Sequence, residues 1–184
     1  ALPPGLLHGN GRLEFTRVDV AVKYPGRVIQ LMAREGDTVT AGQIMAQQDT
    51  ATVQAQYAQA IAQRERATSA RERVQAELTA RQAALRLDTD ELRHAQSMQA
   101  RSLISDMETQ RRRTAVDAAQ AAVTAATQAV AEAEHATQAA TAQVNEVQAA
   151  LDELTITAPV AGRVEYRVVE PGSVLPAGGR GYAL

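Results

Sequence analysis

The chain has 184 residues and a formal net charge of −2, so it lacks the basic excess that a polyanionic partner would require. Hydrophobic residues make up 45% of the chain but aromatic residues only 3%, and much of the apolar content is alanine, which buries too little surface for a thick globular core. Cysteine is absent, which excludes a disulfide framework and a thiolate metal site. This composition is typical of long helices or coiled coils and disfavours an enzyme with an aromatic core.

Helix-breaking residues divide the chain into three segments. All six prolines and all eleven glycines lie up to Gly42 or from Pro159 onward, and the 116 residues 43–158 contain neither. Proline costs about 3 kcal/mol and glycine about 1 kcal/mol inside a helix, so this central stretch is predicted to be helical. Residues 1–14, rich in proline and glycine, are predicted to be a linker. No run of about 18 apolar residues occurs, so we predict neither a membrane span nor a secretory signal.

The two flanking segments repeat each other. When residues 155–184 are shifted back by 136 positions without a gap, Gly162, Gly172 and Gly178 fall on Gly26, Gly36 and Gly42. Val164 and Leu175 fall on Val28 and Val39. Both copies predict short strands separated by turns in which glycine supplies a positive φ. A motif of about 30 residues is too small to bury a core alone, so we expect the two halves to pair in one β-sandwich.

The central segment, 49–154, contains a heptad repeat. From Val116 onward one seam position holds Val116, Val123, Val130, Thr137, Val144 and Leu151. The other holds Ala119, Ala126, Ala133, Ala140, Val147 and Leu154. The first half carries a noisier repeat that comprises Val53, Ala60, Ala67 and Val74, then Leu78, Leu85 and Leu92, interrupted by Arg64, Arg71, Arg81 and Asp88. Apolar residues at both seam positions predict a stripe that faces a partner helix.

A turn must separate the two stretches if they pair within one chain. Ser105 and Glu108 form a capping box, in which the serine hydroxyl accepts from the third amide and the glutamate bonds back, so a helix is predicted to begin at residue 106. We therefore predict a first helix over 49–100, a tip turn over 101–105 and a second helix over 106–154. Asp49 or Thr50 is expected to cap the first helix. The predicted fold is α+β: a long antiparallel helical hairpin inserted between the halves of a lipoyl-like β-sandwich.

In four segments the sequence resembles the HlyD-like membrane fusion proteins, also called periplasmic adaptors. These segments are residues 24–28, 35–46, 156–164 and 169–175, which match the two half-lipoyl motifs of that family in their order and separation. The resemblance implies an adaptor that bridges an inner-membrane transporter, of the ABC or another type, and a TolC-like outer-membrane channel for export of drugs or other substrates. It also implies a homo-oligomer in the periplasm, attached to the inner membrane by an N-terminal anchor outside this chain, with no nucleic acid partner.

The family carries a motif at the hairpin tip, Arg-x3-Leu-x6-Ser, that docks onto the channel. Placing its serine on Ser105 puts the leucine position at Met98 and the arginine position at His94, with Arg93 adjacent. The resemblance thus implies a partner-binding tip made of Arg93, His94, Met98, Arg101, Leu103, Ile104 and Ser105. The same residues also fit a helix cap and an ordinary solvated helix face, because Asp106 and Glu108 lie among the arginines of this region.

We predict no catalytic residue, no cofactor and no metal site. His8, His94 and His135 lie far apart and share no motif, and no nucleophile elbow or phosphate loop occurs. Lys23 is the sole lysine, and it is predicted to lie in a strand before Gly26. A biotin or lipoate carrier would present its lysine where this chain has the helical insertion. That carrier-like domain and a coiled-coil dimerisation module remain the alternative functions.

Overall fold

The structure is a computed structural model that describes residues 16–184, so the predicted linker (residues 1–14) and His8 lie outside the described residues. The chain divides into a β unit, which takes in residues up to Thr50 and Ala150–Leu184, and a helical unit, Ala51–Ala149. The strands are β1 (Asp19–Ala21), β2 (Gly26–Leu31), β3 (Thr38–Val39), β4 (Ile44–Gln48), β5 (Thr155–Thr157), β6 (Gly162–Arg163), β7 (Tyr166–Arg167), β8 (Val174–Leu175) and β9 (Arg180–Ala183). The helices are α1 (Ala51–Ala100) and α2 (Asp106–Asp152).

Every sheet of the β unit combines strands from both flanking segments. The orders are β5-β4-β2-β8, β1-β9-β7 and β3-β6, and all of these pairings are antiparallel. Gly26 pairs with Leu175, and Val39 pairs with Gly162, so each sheet is completed by strands from both halves. The predicted fold class, a helical hairpin between two halves of one β domain, is confirmed.

The internal repeat extends to backbone conformation. Gly36 and Gly172 both have φ of 89°, and Gly42 and Gly178, also 136 positions apart, have φ of 81° and 74°. A residue with a β-carbon rarely adopts such positive φ values, so glycine is required at the two equivalent turns of each half. The matched turns are therefore set by the matched sequence.

A single apolar core fills the β unit and draws on both halves. Its buried members are Val20, Val22, Val28, Ala33, Val39, Met45, Ala46, Ile156, Ala158, Val164, Val169, Leu175, Tyr182 and Ala183. Tyr182 is fully buried, and its hydroxyl donates a 2.9 Å hydrogen bond to the carbonyl of Met45. This bond ties β9, from the second half, to β4, from the first half.

The heptad repeat forms the contact between α1 and α2. The predicted α2 seam residues from Val116 to Leu151 are all buried or half-buried. In α1 the stripe is one continuous repeat, with Tyr57, Arg64, Arg71, Leu78, Leu85, Leu92 and Gln99 at position a. Position d holds Ala60, Ala67, Val74, Arg81, Asp88 and Ala95, of which only Arg81 is exposed. Arg64 and Arg71 bury part of their stems within this seam, as long cationic side chains can do.

Both helices are shorter at the β unit than the predicted bounds of 49 and 154. The Asp49 amide donates to the Arg27 carbonyl at 2.8 Å, which holds residue 49 in the β unit. The Leu154 carbonyl accepts from the Gln48 amide at 2.9 Å, and Leu154 is buried. Leu154, predicted at the helical seam, thus lies beyond the end of α2: its carbonyl bonds to Gln48, while its amide donates to the Leu151 carbonyl at 3.2 Å.

Candidate docking site at the hairpin tip

The tip turn starts where α1 ends in a Schellman motif. The Ser102 amide donates to the Gln99 carbonyl at 2.8 Å, and the Leu103 amide donates to the Met98 carbonyl at 3.0 Å. Ser102 occupies the left-handed position of this motif with φ of 58°, where glycine is the usual residue. It is the sole residue other than glycine with positive φ among residues 16–184. The strained turn projects Leu103 out of the hairpin.

Ser105 caps the start of α2. Its Oγ accepts from the Glu108 amide at 3.3 Å, which is the first half of the predicted capping box. The reciprocal bond, from the Ser105 backbone amide to the Glu108 carboxylate, is absent from the described part of the chain. Glu108 instead pairs with Arg112 at 3.1 Å and Arg111 at 3.3 Å, because two guanidinium groups lie on the next turn. The capping box is therefore half-formed, and Ser105 acts as a simple N-cap.

Two polar contacts join the helices next to the turn. The Gln99 side-chain amide donates to the Asp106 carboxylate at 2.6 Å, and Arg112 forms an ion pair with Glu91. Thr109 is buried between these contacts, and its hydroxyl has no hydrogen-bond partner. The contacts set the register of the hairpin up to its end, so the exposed tip residues project from a fixed base.

The predicted tip residues divide into three groups in the structure. Met98 and Leu103 are large apolar side chains with exposed fractions of 43% and 65%. Ile104 is half-buried within the turn. The polar members, Arg93, His94, Arg101 and Ser105, are all exposed. The tip thus presents apolar side chains to solvent beside cationic ones.

Arg93, which lies next to the arginine position of the motif, is paired within its own helix. Its guanidinium lies 2.7 Å from the Asp90 carboxylate. In the described part of the chain Arg101 and Arg113 form no ion pair, whereas Arg111 and Arg112 are paired. The free cations of the tip within the described residues are therefore Arg101, in the turn, and Arg113, in α2.

Sequence reasoning missed Met107, which is the most exposed large apolar residue of the tip at 73%. It lies in the first turn of α2, two residues before the buried seam residue Thr109, on the side of α2 that points away from the seam. An apolar residue opposite a heptad seam is the signal that could have identified it. Together with Met98 and Leu103 it makes up the exposed large apolar side chains near the end of the hairpin, which we call the tip triad.

The described residues contain no group of three or more His, Asp or Glu side chains arranged to hold a metal ion. No helix among them is long and apolar enough to cross a membrane. Lys23 lies in a bend at residues 23–24, between β1 and β2, and not in the predicted strand. Its ammonium group bonds to the Glu153 carboxylate at 3.0 Å, and this hydrogen bond raises the pKa of Lys23.

The sequence profile of the RND membrane fusion protein barrel-sandwich hybrid domain matches residues 16–182. The chain belongs to this membrane fusion protein family. Members of this family are non-enzymatic, which confirms the prediction that the chain is not an enzyme. The match also confirms the membrane fusion protein resemblance drawn from the four lipoyl-like segments. A comparison with curated proteins found no match.

Solved structures of membrane fusion proteins share the fold. MacA from Actinobacillus actinomycetemcomitans is similar with a TM-score of 0.60 and 20% identity, over 90% of this chain and 48% of MacA. Spr0693 from Streptococcus pneumoniae R6, a membrane fusion protein, matches with a TM-score of 0.54 and 18% identity, over 91% of this chain and 62% of that chain. The soluble domain of LipC, a membrane fusion protein of a type I secretion system, matches at 0.51 and 16% identity, over 92% of this chain and 99% of that chain.

These likenesses, all below 25% identity, concern the fold. The chain spans about half the length of MacA.

Proposed function

We propose that the protein is a periplasmic adaptor that links an inner-membrane transporter to a TolC-like outer-membrane channel, with the hairpin tip as the docking end. In this proposal the adaptor works as a homo-oligomer and is held at the inner membrane by an anchor outside this chain. Membership of the membrane fusion protein family supports the adaptor role. The mechanism is mechanical, since the seam holds the two arms together and the tip binds the partner.

The observation that carries the docking role is the tip triad. Met98, Leu103 and Met107 expose 43%, 65% and 73% of their surface at the end of a helical hairpin whose other apolar residues mostly face the seam. Fully burying one such side chain is worth roughly 1.5–3 kcal/mol, and these three keep 43% to 73% of their surface available for burial, so they contribute part of the free energy of a contact. Arg101 and Arg113 flank the triad and suit a partner surface that carries carboxylates beside an apolar groove.

The polar part of the proposed site differs from the family motif. His94 stands at the arginine position of the motif. The neighbouring Arg93 already forms an ion pair with Asp90. We propose that Arg101 supplies the missing cation, because it is exposed and forms no ion pair within residues 16–184. Ser105 then serves mainly as the cap that fixes the start of α2, and it contacts the channel only at the rim.

The direct test is binding of the purified chain to a purified, detergent-solubilised TolC-like channel. We expect Leu103→Ser to weaken binding by about tenfold or more, because it removes an apolar side chain from the contact. Leu87→Ser is the matched control, since Leu87 is also exposed, at 59%, but lies 16 residues from Leu103. Ser105→Arg places a bulky cation at the rim and should also weaken binding.

Circular dichroism at 222 nm checks that each variant keeps its helices. Equal binding by wild type, Leu103→Ser and Leu87→Ser would show that the tip is not the docking end. Equal loss in Leu103→Ser and Leu87→Ser would point to a contact along the arm and would also contradict the proposal.

A further inference from the structure

The tip turn reverses the chain with residues that do not require a turn. Residues 101–105, Arg-Ser-Leu-Ile-Ser, contain neither glycine nor proline, and neither occurs anywhere in the stretch 43–158. Arginine and leucine are good helix formers, and serine and isoleucine are only slightly worse. The reversal depends on the left-handed φ of 58° at Ser102, which is unfavourable for a residue with a β-carbon. The same five residues therefore also suit a continuous helix.

A continuous helix would also satisfy the backbone groups of the tip. The end of one helix and the start of the next each leave four backbone groups without an intrahelical partner. In the turn, the Ser102 and Leu103 amides bond back to α1, and the Ser105 hydroxyl accepts from the Glu108 amide at 3.3 Å. A helix through the tip replaces these contacts by regular bonds between residues four apart. Backbone hydrogen bonding thus does not oppose opening of the turn.

One row of the seam runs through the tip without a change of spacing. Position d of α1 continues in seven-residue steps through Ser102 and Thr109 into the first seam row of α2. The full row is Ala60, Ala67, Val74, Arg81, Asp88, Ala95, Ser102, Thr109, Val116, Val123, Val130, Thr137, Val144 and Leu151. A row with this spacing keeps to one face of a coiled-coil helix. The second row changes side at the tip, so two helices opened in this way cross there.

The contacts between the arms can be made equally well by two copies. Gln99 and Asp106 bond to each other and lie three residues before and four residues after Ser102. Glu91 and Arg112 pair in the same way, eleven residues before and ten residues after Ser102. Each residue thus meets one about equally far on the other side of the tip. Two antiparallel copies related by a two-fold axis at the tip satisfy the same rule, since such a contact is isologous.

The β unit is divided in a way that permits the same exchange. Each of its sheets contains strands from both flanking segments, and its core draws on both. The bond from the Tyr182 hydroxyl to the Met45 carbonyl also joins the two halves. None of these contacts requires the halves to belong to one chain, because the covalent link between them is the hairpin. A β unit can therefore form from the first half of one copy and the second half of another.

We infer that two copies of this chain exchange halves, with the tip turn as the hinge. In the exchanged dimer residues 101–105 are helical, and α1 of each copy packs on α2 of the other. Each β unit then combines β1–β4 of one copy with β5–β9 of the other. The contacts of the single chain persist outside the turn, and a short strained hinge favours such an exchange. The inference does not involve the outer-membrane channel, so it and the proposed docking role can fail separately.

Cysteine pairing across the halves tests the exchange, since the chain contains no cysteine. Ile44 on β4 and Thr157 on β5 are exposed and directly paired. The variants Ile44→Cys and Thr157→Cys are unfolded in urea, refolded together at high protein concentration and oxidised mildly. We expect a disulfide between the two chains, because cross-strand neighbours lie close enough to be linked. Mass spectrometry of the linked peptides identifies the bond, and its yield should rise with the protein concentration during refolding.

The matched control uses the same two variants refolded separately and mixed before oxidation. Each copy has then paired its own halves, and exchange requires unfolding, so we expect about tenfold less of the linked dimer. Absence of the disulfide in the co-refolded sample would overturn the inference. Equal yields in the two samples would also overturn it, because they would indicate a contact between the surfaces of folded copies.

Two substitutions of Ser102 test whether the tip is the hinge. Ser102→Ala favours a helix and disfavours the left-handed turn, whereas Ser102→Gly has the opposite effects. Because each dimer contains two hinges, we expect the dimerisation constant of the alanine variant to exceed that of the glycine variant by about tenfold or more, with wild type between them. Analytical ultracentrifugation after refolding at a series of concentrations measures this. Equal constants, or the reverse order, would refute the hinge.

Discussion

The side chain of Gln48 packs so closely against Gly26 that no β-carbon fits at position 26. A β-carbon on Gly26 would lie 2.9 Å from Nε2 of Gln48, which is fully buried and donates to the Tyr24 carbonyl at 3.2 Å. Gly26 begins β2 and pairs with Leu175, so this contact lies where the first half of the β unit meets the second. The glycine is needed here for space and not for a positive φ.

We therefore expect Gly26→Ala to destabilise the β unit by about 1–3 kcal/mol, because Gln48 must move and its buried amide loses its partner. Thermal unfolding followed by near-ultraviolet circular dichroism measures the change. The double variant Gly26→Ala/Gln48→Ala should cost less than the sum of the two single variants, by about 0.5 kcal/mol or more. Strict additivity would show that the two residues do not compete for space.

Burial of the Tyr182 phenol gives the β unit a dependence on alkaline pH. Burial raises the pKa of Tyr182 above its usual value of 10.0. The neutral phenol is thus favoured by folding, so its contribution is fully present below pH 10 and is lost as the pH rises through the folded-state pKa. The raised pKa of Lys23, caused by its bond to Glu153, acts in the same direction.

Tyr182→Phe should therefore lower stability at neutral pH by about 0.5–1.5 kcal/mol and flatten the decline above pH 10. The cost stays modest because the Met45 carbonyl also accepts from the Met32 and Ala33 amides. Urea unfolding at a series of pH values checks both effects. An unchanged alkaline slope in Tyr182→Phe would assign the decline to other groups.

Ser102 offers a stabilising substitution at the tip. A left-handed conformation costs about 1–2 kcal/mol for a residue with a β-carbon, and the greater freedom of glycine in the unfolded chain offsets part of the gain. Ser102→Gly should therefore stabilise the hairpin by roughly 0.5 kcal/mol, whereas Ser102→Val should destabilise it. Helical signal at 222 nm during denaturation measures both. Equal stability of the glycine and valine variants would contradict the φ of 58°.

Thr109 and Thr137 form a matched pair of seam threonines. The hydroxyl of Thr137 donates to the Ala133 carbonyl at 2.9 Å, whereas that of Thr109 is buried without a partner. Replacing an unsatisfied hydroxyl by a methyl group removes a desolvation cost of about 1–3 kcal/mol. Thr109→Val should thus stabilise the hairpin more than Thr137→Val does. The reverse order in denaturant unfolding would show that the Thr109 hydroxyl has found a partner.

The sequence predicted the α2 seam well because valine and alanine recur every seven residues without a charged interruption. The α1 seam was harder, since Arg64, Arg71 and Asp88 look like breaks in the repeat. In the structure all three are half-buried at seam positions. The two arginines fit there because arginine can bury its stem while the guanidinium reaches water. Hydrophobicity alone therefore understates a seam that uses the aliphatic parts of charged side chains.

The tip was predictable in place but not in conformation. The hydroxyl and carboxylate of the capping box located the start of α2 at Asp106. The Schellman motif before it could not be predicted from the sequence, because Ser102 occupies the position where glycine usually marks such a turn. The two missing helical residues at each end of 49–154 reflect pairing between β4 and β5, which is a tertiary effect that local patterns do not contain.

The hairpin leaves and re-enters the β unit through neighbouring strands. Because β4 and β5 pair antiparallel and the Gln48 amide bonds to Leu154, the two ends of the insertion are clamped together independently of what lies between them. Adding or removing one heptad from each arm would change its reach by about 10 Å while leaving the anchoring strands and the seam phase intact. The length of the hairpin arms can therefore change in steps of one heptad while the β unit stays the same.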